Sequence, residues 1–114
     1  MKGTIDDNQS ENNRREDFKS YFDKEKVISN ALRYHTQGNI VEASKYYQIF
    51  INQGYEDHII FSNYGAILQD LNKFEEAETY YRKAIKININ YAIAHSNLGN
   101  ILRDLGKLKE AELS

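Results

Sequence analysis

FSNYGAILQDLNKFEEAE (Phe61 to Glu78) and HSNLGNILRDLGKLKEAE (His95 to Glu112) are two versions of one pattern. Set one above the other, Ser-Asn, Gly, Ile-Leu-x-Asp-Leu, Lys and Glu-Ala-Glu fall in register at an offset of 34 residues. A further step of the same length places Ala31 under Gly65 and Gly99, Glu42 under Glu76 and Glu110, and Ala43 under Ala77 and Ala111. Apolar residues recur within each copy at helical spacing, so each copy reads as two helices joined by a turn.

Period and residues together resemble the tetratricopeptide repeat, a helix-turn-helix unit of this length. The resemblance covers Lys24 to Ser114 and is tightest in the second and third copies. It implies an all-α fold, a right-handed α-α superhelix of antiparallel helix pairs. The expected organisation is a disordered tail over residues 1–13, a capping helix over 14–23, repeats over 24–57 and 58–91, and a truncated third repeat over 92–114.

The local signals agree with that plan. Residues 1–13 hold Ile5 as their only internal aliphatic, too little apolar surface to offset the entropy of ordering. Phe18, Tyr21 and Phe22 form one apolar stripe of the capping helix. In the first repeat, helix A is predicted from Lys24 to Gln37, with Val27, Ala31 and Tyr34 buried; Gly38 ends it. Asn39 and Glu42 form a box-like start for helix B, which carries Ile40, Ala43, Tyr47, Phe50 and Ile51. The second repeat is expected to run from Asp57 to Leu71 and from Lys73 to Ile87, with Asn72 and Glu75 as the corresponding cap. Gly65 and Ala77 are small where its helices cross, so the backbones can approach while Phe61, Tyr64, Leu68, Phe74, Tyr81 and Ile85 fill the flanks. The third repeat begins near Tyr91, ends helix A at Gly106 and leaves Lys107 to Ser114 for helix B. That short remainder suggests a piece of a longer array, or a C-terminal face covered by another copy or a partner.

Three departures from the family pattern are visible. Tyr55 and Ile89 stand where a proline closes helix B, so the turns rely on Gly54, Asn88 and Asn90. Phe50 occupies an alanine position, and Asn72 a turn glycine, whose backbone region Asn tolerates.

Composition narrows the function. Fifteen basic and seventeen acidic residues give a net charge of −2 and a pI near 5.9, against a partner held by phosphate neutralisation. The chain has no cysteine, hence no thiolate chemistry or disulfide. No apolar run approaches the roughly eighteen residues that cross a bilayer, and a cytoplasmic location is the default expectation. His35, His58 and His95 have no ligand spacing, and no phosphate cradle or nucleophile elbow is present. Glu75, Glu76 and Glu78 lie near a helix start, where negative charge offsets the dipole. No catalytic residue, cofactor or metal is therefore expected.

Stacked units of this family line a concave groove with their A helices. By resemblance, the peptide-facing positions would be Ser29 in the first repeat, Ile59, Ser62, Asn63, Ala66 and Gln69 in the second, and Ile93, Ser96, Asn97, Asn100 and Arg103 in the third. Asn63 and Asn97 are the sharpest feature. A carboxamide donates and accepts, so one per repeat could grip successive peptide units. AHSNLGN resembles the asparagine ladder of nucleocytoplasmic glycosyltransferases. The same amides could instead tie helix A to its neighbour, and the sequence leaves both readings open. The basic pairs that clamp an acidic chaperone tail are replaced by Ser62, Asn63, Ser96 and Asn97. The expected function is a non-catalytic protein-protein interaction scaffold with a protein or peptide partner, no nucleic acid and no membrane. Self-association through the uncapped C-terminal face is a further expectation. The alternative is the recognition arm of a larger glycosyltransferase- or sulfotransferase-like enzyme.

Overall fold

The structure, a computed structural model, describes residues 23–113, with Leu113 described in its backbone only. The tail and the capping helix expected before Asp23 lie outside the described residues. Five α-helices follow in order: α1 (Lys24–Thr36), α2 (Ile40–Asn52), α3 (His58–Asp70), α4 (Phe74–Ile87) and α5 (Ala92–Leu113). No strand occurs among the described residues. None of the helices is long and apolar enough to cross a membrane.

The chain divides into two compact units, one up to Tyr55 and one from Glu56 onward. The first is the α1/α2 hairpin. Asp23 starts it by accepting from the amides of Glu25 at 3.0 Å and Lys26 at 3.3 Å. Val27 and Ala31 of α1 and Ala43, Tyr47 and Phe50 of α2 are fully buried. Tyr34 stays half-buried and stacks on Tyr46, ring centroids 5.7 Å apart. Phe50, at its alanine position, is buried and packs against Tyr55 at 5.5 Å, the residue in the usual proline place.

Three turns share one device. Gly38 (φ +78°), Gly54 (φ +82°) and Asn72 (φ +62°) take the left-handed conformation that closes a helix. After each, the next amide reaches back to the last helical turn: Asn39 N to Tyr34 O at 2.9 Å, Tyr55 N to Phe50 O at 3.3 Å, Lys73 N to Leu68 O at 2.8 Å. Asn72 therefore does not cap α4 as expected. Its backbone is committed to the turn, Lys73 takes the N-cap position, and no side chain caps that helix. Asn39 does cap α2, accepting from Glu42 N at 3.3 Å, but Glu42 pairs with Lys45 at 2.9 Å. Asp57 caps α3 through Ile60 N at 3.0 Å.

In the second unit α4 lies against both α3 and α5, and α3 also touches α5. Leu68, Ala77, Tyr81 and Ile101 form its buried cluster, with Tyr64, Phe74, Tyr80, Leu98 and Leu105 around it. Gly65 sits where the sequence places a close crossing: a Cβ there would lie 2.9 Å from Tyr81 Cε1. Between α4 and α5, Asn88 organises the turn by accepting from Asn90 N at 3.2 Å.

The third repeat departs from expectation. Helix α5 runs without a break through Gly106, where a turn was predicted. A continuous helix keeps the i to i−4 bonds that a left-handed turn would break. Gly99 and Ala111, expected at a helix crossing, are consequently exposed, and a Cβ on Gly99 would meet nothing within 4 Å.

Candidate peptide-binding face

Ten of the eleven expected groove residues belong to α3 and α5 of the second unit; Ser29, exposed on α1, belongs to the first. The pairing of α3 with α5 is anchored at one phenol. Tyr81, fully buried on α4, donates to Gln69 Oε1 at 2.8 Å, and the Asn97 amide lies near enough to the same phenol to act on its ionisation. Gln69 and Asn97 are thus brought together from two helices that the sequence separates by 28 positions. Burial, then the Asp70 carboxylate, pushes the Tyr81 phenol up to about 12, while the Asn97 amide acts in the opposite direction.

The remaining residues sort by exposure. Ile59 is 41% exposed and Ile93 57%, two apolar side chains at equivalent places on α3 and α5. Asn63 and Ala66 are half-buried, and Ser96, Asn100 and Arg103 are exposed. The Asn63 side chain carries no hydrogen bond among the described residues, whereas Asn97 lies beside the Tyr81 phenol. Arg103 is held on the surface by Asn100 Oδ1 at 2.6 Å. Arg33 and Asn30 repeat that i,i+3 arrangement on α1 at 3.0 Å.

Ser62 requires a correction. It is 1% exposed, so its hydroxyl cannot face a peptide, and its Oγ has no partner among the described residues. On α3 Asn63 and Ala66 are partly accessible, whereas Ile60, Phe61 and Ser62 just before them all turn inward.

The histidines are packing groups. His35 Nδ1 and the Tyr47 hydroxyl are hydrogen-bonded at 2.7 Å, His95 Nε2 donates to Ile89 O at 2.6 Å, and His58 stands edge-on to Tyr91 with centroids 4.7 Å apart. Sequence reasoning missed the His35–Tyr47 and Gln69–Tyr81 pairs. A signal was present: each pair spans 12 residues, and the second pair lies 34 positions after the first.

Two hollows occur beside α5. One of about 330 Å³ is lined by Asn72 to Glu76 with Leu105 and Leu108, the other of about 430 Å³ by Arg82, Ile85, Lys86, His95 and Leu98. Neither includes a residue of the expected peptide-facing set.

Among known proteins, the family model described as TPR repeat matches residues 65–106, which run from Gly65 of α3 through α4 to Gly106 of α5. No curated protein matches the sequence. The matched segment contains the close crossing at Gly65 and Ala77 and the whole of α4, and its hairpin plan recurs in α1/α2 at the same 34-residue step; residues 65–106 match a tetratricopeptide repeat, and the five helices are consistent with such repeats.

Proposed function

We propose that this chain is a protein-protein interaction scaffold that takes an extended peptide along α3 and α5 of the second unit. The observation that supports the reading most is the uneven use of the two equivalent asparagines. Asn97 lies beside the buried Tyr81 phenol, where α5 packs on the α3/α4 hairpin, while the Asn63 carboxamide has no side-chain partner among the described residues. On this reading Asn97, beside Tyr81, helps to hold the helices, and Asn63 offers a donor and an acceptor to a peptide unit. Ile59 and Ile93 give apolar contacts at matched positions, and Arg103, steadied by Asn100, supplies a planar donor for a carbonyl or carboxylate of the guest. An uncharged amide pair flanked by aliphatics suits a peptide read mainly through its backbone.

The test is calorimetric titration of the chain with a peptide selected against it from a random library. Asn63→Ala should weaken that peptide by about 1 to 3 kcal/mol while leaving helicity and melting unchanged. Unaltered affinity would remove Asn63 from the contact and this reading with it.

A further inference from the structure

We propose that Phe61, Tyr64 and Tyr80 form a site for a methylated lysine side chain of a protein partner, and that the chain's own Lys83 ammonium fills it until that guest arrives. The three rings come from two helices of the second unit. Tyr64 of α3 stands edge-on to Tyr80 of α4, planes at 79° and centroids 5.0 Å apart, and Phe61 is tilted by 50° to the same ring at 5.9 Å. Phe61, 5% exposed, is the floor of the site, while Tyr64 and Tyr80 are half-buried and keep part of their surface open.

A cation is already in place. Lys83 Nζ lies 5.0 Å from the Tyr80 centroid and 6.0 Å from that of Phe61, within reach of the negative ring faces. Among the described residues this ammonium forms no ion pair, and Glu78, the carboxylate nearest in sequence, is taken by Arg82 at 2.9 Å. The rings are therefore what holds it. Burial, then Tyr64, then Glu76 push the Tyr80 phenol up, which puts the Glu76 carboxylate within electrostatic reach of the rings. Carboxylate and ring faces thus favour a guest of the same sign.

Hairpin packing does not require this set. At the positions 34 residues earlier stand Val27, Asn30, Tyr46 and Ile49, with one ring among them and no cation. Val27 is fully buried where Phe61 has its equivalent, so an aliphatic side chain fills that place in the first hairpin. None of the three rings, nor Lys83, belongs to the expected peptide-facing set, and the site stands apart from the function proposed above.

Hydration selects the guest. A plain ammonium is a compact, strongly hydrated charge that gives up water reluctantly at a ring face. Methylation keeps the charge and removes the N–H groups that bind water, so a methylated lysine loses less on displacing Lys83. A choline headgroup offers the same cation but carries a phosphate beside it, which the exposed Glu76 carboxylate would repel.

The test is NMR titration of the full chain with three probes: N-acetyl-trimethyllysine methylamide, its neutral isostere with carbon in place of the ammonium nitrogen, and phosphocholine. The trimethyllysine probe should shift the ring protons of Tyr80 and Phe61 saturably, and ring currents should move its own methyl signal upfield. The isostere should do neither, and phosphocholine should bind more weakly. Lys83→Ala, at an exposed position, removes the resident cation and should tighten the trimethyllysine probe about two- to fivefold. The proposal is overturned by no saturable shift in either protein, by an isostere that binds equally well, or by an affinity that Lys83→Ala leaves unchanged. Phosphocholine binding as tightly as trimethyllysine would make a lipid headgroup the guest and overturn it as well.

Discussion

The hydroxyl of Tyr81 is bonded to Gln69 at 2.8 Å, and 34 residues earlier the hydroxyl of Tyr47 is bonded to His35 at 2.7 Å. In each hairpin a buried phenol on the second helix finds its partner near the end of the first, so the ring fills the crossing and its polar tip is satisfied. Tyr81→Phe should cost about 1 to 3 kcal/mol in urea denaturation, because it leaves the half-buried Gln69 short of a partner. Tyr47→Phe should cost about 0.5 to 1.5 kcal/mol, since His35 loses a bond.

Alkaline stability follows from the same phenol. Burial first, and Asp70 second, raise the folded-state value of Tyr81 from the ordinary 10.0 to about 12. Below pH 10 the group is protonated in both states and contributes fully. As pH rises from about 10 to 12 the unfolded chain ionises while the folded one resists, so stability falls across that window. Tyr80, raised by burial and by Tyr64 and Glu76, adds to the same trend. Denaturation midpoints measured from pH 8 to 11.5 should decline, and the decline should be shallower in Tyr81→Phe.

The two equivalent glycines should respond oppositely to alanine. Gly65→Ala forces a methyl to within 2.9 Å of the immobile Tyr81 ring, an overpacking cost of about 1 to 3 kcal/mol that outweighs the gain in helix propensity. Gly99→Ala meets nothing and should stabilise by up to about 1 kcal/mol. Thermal melting of the two variants would settle the comparison.

Asn72 holds the only non-glycine positive φ among the described residues. Asn72→Ala should destabilise by about 1 to 2 kcal/mol, since an L side chain without Asn's local hydrogen bonding is strained there. Asn72→Gly should be neutral or slightly stabilising in the same melting assay.

Asn63 and Asn97 separate by stability before any ligand is added. Asn97→Ala removes an amide beside a buried phenol and should lower stability by about 0.5 to 1.5 kcal/mol, whereas Asn63→Ala should leave it within about 0.5 kcal/mol. Equal effects in urea denaturation would place both amides in the same role.

Helix limits were legible because they depend on neighbours in the chain. Predicted and observed ends agree within a residue for α1 to α4, since Gly38, Gly54, Asn39 and Asp57 act through the backbone beside them. Asn72 was legible as a substitute for glycine and misread as a cap, because one residue cannot serve a turn and the next helix start at once. Ser62 was misjudged for a different reason. Its periodicity puts it on the stripe with Asn63, and only the packing around α3 decides which edge of that stripe is covered.

What the amino-acid order alone determined is the repeating hairpin: small residues at Gly65 and Ala77, aromatic and aliphatic flanks, and turn residues at a 34-residue step are all local or periodic properties. Whether Gly106 bends or stays helical, whether Gly99 meets a neighbour, and which asparagine comes to lie beside Tyr81 were decided by tertiary structure. The physical reason is that a glycine permits a turn without compelling one, and a carboxamide bonds to whichever polar group is nearest. Only packing determines what lies opposite them.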